Sequence, residues 1–514
     1  MSQKNSPMAD TIEAVRASDP EKSDLARDTT DDETATAPTT PPSPELQRWN
    51  ESTVNILRFI GTLYTFILMG MTDAVIGPLL PYIESYYTLT YTVISLIFLS
   101  PFAGYVLAAL LNNQIHHRFG QRGVAILAPA CRLAGMIPLV FHPPYPALPV
   151  VLIFLGFGNG IEDSAWNAWI GNMHRANELL GVLHGCYGLG ATISPLIATA
   201  MVTKGQLEWY TFYYLMIGLD ALAIPLLVPA FWRATAKVHR AAMTLTAADG
   251  GQGATTRAAL KLPVVWLLAM FLLGAVGAEV SLSGWITTFM LRVRDAEPFL
   301  AGLVSTFFWL GLTVGRFVLG FVTGRIGEKM ALTAYLVLCV ALEVLYWLVP
   351  NFAASAVFVT FVGFFMGPLF PAAIVVATKL LPRDYHVSAI GFAAAFGGGG
   401  AAVLPFAVGA IAEKKGVEVL QPIVLALLIF LTLIWLMLPG GLRRGGLEKA
   451  RDNNEKVGDG VVRAIRWVRG KGNRVLAPQR QPTGPTAEVM GRCSLDGSCR
   501  CASDNTGPHE TIGP

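Results

Sequence analysis

Six acids stand inside long apolar stretches of this chain: Asp73, Glu162, Asp163, Asp220, Glu279 and Glu343. Only Arg132 and Arg316 clearly oppose them in the same stretches. A charge in a lipid-spanning helix is costly unless it has a partner, a watery cavity or a proton. With six acids against two cations, some carboxyls are expected to be protonated part of the time, because a low-dielectric surrounding disfavours the charged form. A carboxyl that gains and loses a proton with conformation is the least device that ties solute movement to a proton gradient.

The stretch around Asp163 is the most informative. Asn159, Asp163 and Trp166/Asn167 recur at i, i+4 and i+7/i+8, so they share one helical face. Amide and carboxylate groups hydrogen-bond hydroxyls, and an indole stacks on the apolar face of a sugar ring. A polar seam between packed helices gives the same pattern. Glu162 lies off that stripe by about 60° on the helical period, where it can pair with Arg132. Glu279, Ser283 and Thr287 repeat the theme on a later helix that also carries Trp285. His184 and Tyr187 fall in a small-residue run, Leu183-His-Gly-Cys-Tyr-Gly-Leu-Gly190. His184 is either a group that titrates near neutral pH or a packed histidine. Arg132 reads as a structural ion-pair partner, with solute-anion binding as the alternative. Arg316 reads as a support for a later basic turn, with Glu343 as its partner, and Asp220 has no evident partner. No metal cluster and no nucleophile–base motif is present, so no cofactor and no enzymatic activity are expected.

The elements that must carry these residues follow from composition. Of 514 residues, 53% are hydrophobic and 14% charged, where a soluble protein has about a quarter charged. Apolar runs of about 20 residues recur, the length that crosses a bilayer, and in lipid such runs must be helical. About twelve spans are expected, at roughly 55–80, 91–112, 123–142, 148–171, 180–203, 210–232, 263–290, 299–322, 331–350, 354–377, 387–411 and 418–438. The domain expectation is a disordered N-terminal tail (1–52), a six-helix bundle (53–232), a cytosolic linker (233–261), a second bundle (262–438) and a disordered C-terminal tail (439–514). A surface helix is allowed at the linker's start and another at 461–469. Cys131, Cys186 and Cys339 read as packing residues, and Cys493, Cys499 and Cys501 as unmodified thiols, with palmitoylation or metal binding conceivable. The net charge of +3 says little about partners, and no basic domain suggests nucleic acid.

The two halves are copies of one unit. The turn Asn113-Gln-Ile-His-His-Arg-Phe-Gly-Gln-Arg122 recurs as Gly320-Phe-Val-Thr-Gly-Arg-Ile-Gly-Glu-Lys329. Adding 207 carries Arg118 to Arg325, Gly120 to Gly327 and Arg122 to Lys329, and likewise Gly70 to Gly277 and Gly156 to Gly363. An internal repeat in an apolar chain points to two related bundles with a site between them. Basic residues collect on the side of these turns, so both tails are expected to be cytosolic.

At these turns the chain resembles the major facilitator superfamily, whose Gly-x-x-x-Asp-Arg-x-Gly-Arg-Arg turn lies between its second and third helices. The Arg-x-Gly core stands in both copies here. The Asp position is His117 in one and Gly324 in the other, so that acid's role does not carry over. Three local motifs are most similar to the fucose–proton symporter branch and its fungal relatives. They are Gly70-Met-Thr-Asp-Ala-Val-Ile-Gly77, Gly156-Phe-Gly-Asn-Gly-Ile-Glu-Asp163, and the run from Leu183 to Pro195. The resemblance implies an all-α, twelve-helix transmembrane transporter of two pseudo-symmetric six-helix bundles. It also implies that acids at Asp73 and Asp163 serve proton coupling.

The resulting expectation is proton-coupled symport of a small polar solute such as a monosaccharide. Asp73 and Asp163 are the proton-coupling candidates. Asn159, Trp166, Asn167, His184, Tyr187, Glu279 and Trp285 are the solute-contact candidates. An exporter of drugs or metabolites, or a non-transporting nutrient receptor, are the alternatives. The expected partners are a solute, protons and the lipid bilayer. The expected state is a monomer in the plasma or vacuolar membrane.

Overall fold

The computed structural model describes residues 47–241, 256–382, 385–442 and 445–453. Most of the 1–52 and 439–514 tails, the 248–253 run, the 461–469 segment, and Cys493, Cys499 and Cys501 lie outside the described residues. Among the described residues the chain is helical, with no strand.

Among the described residues, eleven helices are long and apolar enough to cross a bilayer. One of them, Tyr91–Val140, has 50 residues. At 1.5 Å per residue that is about 75 Å, against a hydrocarbon core of about 30 Å. It is two spans in series. Its long part, Leu96–Val140, breaks at Gly120, whose φ of 70° and ψ of −168° are not helical. Counting it twice gives 11 + 1 = 12 spans. Span one is Thr53–Ala74, continued as Ile76–Tyr87. Spans two and three are the parts of Tyr91–Val140 before and after Gly120. Spans four, five and six are Ala147–Gly171, Ala176–Thr203 and Thr211–Phe231. Spans seven, eight and nine are Pro263–Val293, Pro298–Ile326 and Glu328–Leu348. Span ten is Phe352–Met366 with Leu369–Leu380. Spans eleven and twelve are His386–Lys415 and Leu420–Met437.

Outward faces are apolar, with Phe321, Phe141, Leu110 and Leu348 among the most exposed side chains. That is a cost in water and none in lipid. Several hydroxyls within the spans return to their own helix: Ser164 donates to the Gly160 carbonyl at 2.8 Å and Thr323 to Leu319 at 2.6 Å. This satisfies a polar group where no water reaches it.

Close backbone approach builds each half, and the repeat is visible in it. A Cβ on Gly156 would lie 2.0 Å from the Pro101 carbonyl, and one on Gly363, 207 residues on, 2.5 Å from that of Phe308, also 207 on. The pair Gly190 and Gly400 does the same for spans one and five and spans seven and eleven, each with a Cβ position 2.0 Å from a facing carbonyl. Small residues let these helices cross at backbone contact.

The two basic turns act as clamps. Gly120 carries the chain back across residues 234–236, the Arg122 amide donates to the Ala234 carbonyl at 3.1 Å, and the Arg122 guanidinium lies 5.0 Å from the Trp232 ring. In the second half Gly327 has φ 101°. Lys329 is buried and donates to the Trp435 and Leu438 carbonyls at 2.9 and 2.5 Å, with Trp435 beneath it. Each turn thus grips the exit of its own half's last span. Arg118 and Arg325 belong to the same turns; Arg118 is exposed and lies over Phe119. Residues 236–241 are helical, where the sequence allowed a surface helix.

Candidate functional site

The halves meet along three seams, span one with span seven, span two with span eleven, and span five with span eight. Between them lies a cavity of about 240 Å³. Its polar wall is Asp73 of span one, Tyr105 of span two, Tyr187 of span five, Glu279 and Ser283 of span seven, and Trp309 of span eight. Phe98, Phe102, Val276 and a run of small residues on span eleven complete it.

Asp73 is held from two helices. Its Oδ1 accepts from Asn159 Nδ2 at 3.2 Å and its Oδ2 from the Tyr187 hydroxyl at 3.1 Å. Asn159 also donates to Thr72 Oγ1 at 3.2 Å. Among the described residues no cation pairs with Asp73. Glu279 on the facing half is different: Arg316 Nη2 lies 3.2 and 3.4 Å from its two oxygens. The cavity wall therefore carries two acids, and only one of them has an arginine beside it, an excess of one carboxyl. Tyr187 also meets Trp309 edge to face at 6.4 Å, which joins the two walls.

Placement separates the sequence candidates. Asp73, Tyr187 and Glu279 line the cavity, and Asn159 supports Asp73 from behind. Asp163 does not line it. It accepts from Asn167 Nδ2 at 2.8 Å, and Asn167 Oδ1 lies 3.1 Å from His184 Nε2. His184 packs edge-on against Phe66. Trp166 is fully buried and stacks on Phe231 at 4.5 Å, within the core of its own half. Seven residues at 1.5 Å carry it about 10 Å along the axis from Asn159, and it does not line the cavity. Trp285 is also fully buried, with its indole nitrogen on the Pro405 carbonyl at 2.9 Å and its ring beside Tyr91 at 5.7 Å.

Three charge assignments change. Arg316 pairs with Glu279, and neither oxygen of Glu343 has a hydrogen-bond partner among the described residues. Asp220 does have a partner. Arg132 donates to Asp220 Oδ1 from Nε at 2.9 Å and Nη2 at 2.6 Å, and to Glu162 from Nη1. Spans three, four and six are pinned by that triad. Trp309 was missed as a cavity residue, and Arg316 as the partner of one. They are seven apart, hence on one face of span eight, and that spacing was the available signal.

One end of the cavity is sealed. Opposite the two basic turns, Glu84 pairs with Arg292 at 3.7 Å, Lys204 with Glu297 at 3.4 Å, and Glu413 accepts from the Thr92 amide at 3.2 Å. Among the described residues, the ion pairs that join the halves both lie at this end. The backbones touch there as well, since a Cβ on Gly77 would lie 2.0 Å from the Ser283 carbonyl oxygen.

Two related six-helix bundles around a polar cavity, sealed at one end, define a multi-pass membrane transporter. The chain belongs to the Major Facilitator Superfamily, whose sequence profile matches residues 62–302 and 292–480. It is 31% identical over 417 residues to bypass of stop codon protein 6 of Saccharomyces cerevisiae, covering 74% of this chain and 82% of that one. It is 24% identical over 355 residues to the glucose/mannose transporter GlcP of Bacillus subtilis, covering 67% and 85%. Among solved structures its fold is similar to that of a D-xylose–proton symporter, with a TM-score of 0.60 and 12% identity over 74% of this chain and 97% of that one.

Proposed function

We propose that this protein is a proton-coupled symporter of a small polar solute, of the monosaccharide class, working by alternating access. The observation that carries the reading is the unequal treatment of two cavity acids. Glu279 has an arginine, and Asp73 has two neutral donors and no cation among the described residues. An uncompensated carboxyl at the wall of a wet passage is placed to exchange a proton. Its donors come from spans four and five, so a change in its charge alters contacts among three helices. A cavity of about 240 Å³ lies below the roughly 300–1,000 Å³ typical of drug-sized ligands, which favours a small solute. Tyrosine and tryptophan beside carboxyls suit a ring with hydroxyls on its edge and C–H groups on its face. The sugar named for the Bacillus relative supports this class, and the local motifs support a place near the fucose–proton branch.

Both tails are cytosolic in this reading, because Arg118, Arg122, Arg325 and Lys329 gather at one end. The sealed end then faces outward. The protein acts as a monomer in the plasma or vacuolar membrane. The test is uptake of labelled monosaccharides into cells or proteoliposomes at about pH 5.5 and about pH 7.5, either side of the range where perturbed carboxyls titrate. Wild type accumulates solute more at the acidic setting. Asp73→Asn loses accumulation and pH dependence but keeps exchange of solute down its gradient. Uptake by wild type that ignores external pH for every transported solute would overturn the coupling.

A further inference from the structure

Glu343 lies outside the cavity, on span nine, and is fully buried. Tyr346, one turn on, and Gln421, in the first turn of span twelve, are fully buried as well. Among the described residues, both Glu343 oxygens, both polar atoms of the Gln421 amide and the Tyr346 hydroxyl lack a hydrogen-bond partner. The three belong together: spans nine and twelve pack on each other, and Glu343 and Gln421 both come within interaction range of the Tyr346 hydroxyl. The Gln421 amide approaches the Tyr346 hydroxyl without a well-formed hydrogen bond, and both Glu343 oxygens have none; buried polar groups left so are costly.

The neighbouring cation does not resolve this. Arg294 donates to the Tyr346 and Trp347 carbonyls at 2.9 and 3.2 Å and to Ser355 Oγ at 3.2 Å, and its guanidinium lies 5.2 Å from the Phe289 ring. It is spent on backbone and hydroxyl and makes no ion pair with Glu343.

We propose that Glu343, Tyr346 and Gln421 form a binding site for one small monovalent metal cation of the sodium class, within the second bundle and separate from the solute cavity. The donor set is four oxygens: two of a carboxylate, one amide carbonyl and one phenol. Hard cations take such oxygens. One carboxylate balances one positive charge; a divalent ion would leave a net charge buried. A bound cation ties span nine to span twelve, and it stands whether or not the cavity carries protons.

The test uses the purified full-length protein in detergent. Thermal unfolding is followed in sodium, lithium, potassium or choline chloride at equal ionic strength. A cation that binds only the folded state raises the melting temperature with its concentration. The expected result is a rise of several degrees in sodium or lithium over choline, absent in Glu343→Gln and reduced in Gln421→Ala. Retention of radiolabelled sodium by the wild type, displaced by unlabelled sodium, gives the same answer should either variant fail to fold. Equal melting in all four salts with no sodium retained overturns the site, and Glu343 is then a protonated acid. A sodium shift that persists in a folded Glu343→Gln also overturns it.

Discussion

Replacing Arg132 with leucine tests whether the buried triad is scaffold or solute contact. The guanidinium is wholly buried, and its two acids are no more than 1% exposed. Removing one partner from a buried ion pair costs about 3–5 kcal/mol, because the other charge is left uncompensated. Here one cation serves two acids, so the upper end applies, offset by whatever proton each acid then takes up. At about 2–4 °C per kcal/mol for a unit of 150–250 residues, roughly the size of one bundle, the melting temperature falls by roughly 6–20 °C. The assay is thermal aggregation of detergent-solubilised protein, read by size-exclusion chromatography, with uptake measured in parallel. The companion variant adds Glu162→Gln and Asp220→Asn, which removes the stranded acids. If the triad is scaffold, the triple variant regains most of the lost stability and also regains transport. A single variant within about 2 °C of wild type, less than the cost of 1 kcal/mol, would refute the energetic argument. Stability regained without transport would make Arg132 a solute contact.

Other expectations follow from separate features. Gly77→Val places a side chain where the Cβ alone would already lie 2.0 Å from the Ser283 carbonyl. The sealed end then cannot close, and a cysteine placed at Val280 should label faster from that side while net uptake fails. Arg316→Gln strands Glu279, and hydrogen bonds to a charged group are worth about 1.5–3 kcal/mol. Uptake should drop by about tenfold to a hundredfold, at 1.4 kcal/mol per factor of ten, and adding Glu279→Gln should recover part of it. Burial, then the charges of His116, His117 and Arg240, hold the His239 imidazole below its ordinary value of 6.5. The undocked segment therefore takes a proton more readily than the docked one. Docking of residues 236–241 on the first turn is complete above the ordinary histidine value and weakens as pH falls through the lowered one. Protection of these amides, measured as exchange relative to the intrinsic rate at each pH, should fall on acidification.

Sequence pattern revealed the fold because lipid permits few solutions. Apolar length set the number of spans, and the constant offset of 207 located Gly156 and Gly363, which meet Pro101 and Phe308, themselves 207 apart. Periodicity set Asn159 and Asp163 on one stripe and Glu162 off it, and the pairing of Glu162 with Arg132 that this allowed is present. It could not say how far along a helix the cavity reaches, which is why Trp166 and Trp285 were grouped with solute contacts. Nor could it pair charges between helices without knowing which helices touch. Arg316 was set against Glu343 on span nine, whereas span seven packs on span eight and brings Glu279 to it. Asp220 looked solitary for the same reason: its partner lies 88 residues away. The missing acid at His117 and Gly324 also has a physical reading. In this chain the turns hold through backbone carbonyls and indole rings, which ask only for a cation and a glycine.

That manner of fastening has a mechanical consequence. Each bundle carries its own buckle, Arg122 on the strap leaving span six and Lys329 on the strap leaving span twelve. Among the described residues, the contacts of each buckle stay within its own bundle. Leverage applied at the cavity is therefore not absorbed by loosening within a bundle. It passes to the seam, where a few ion pairs and the glycine crossings at Gly77, Gly302 and Gly409 are the parts that must let go.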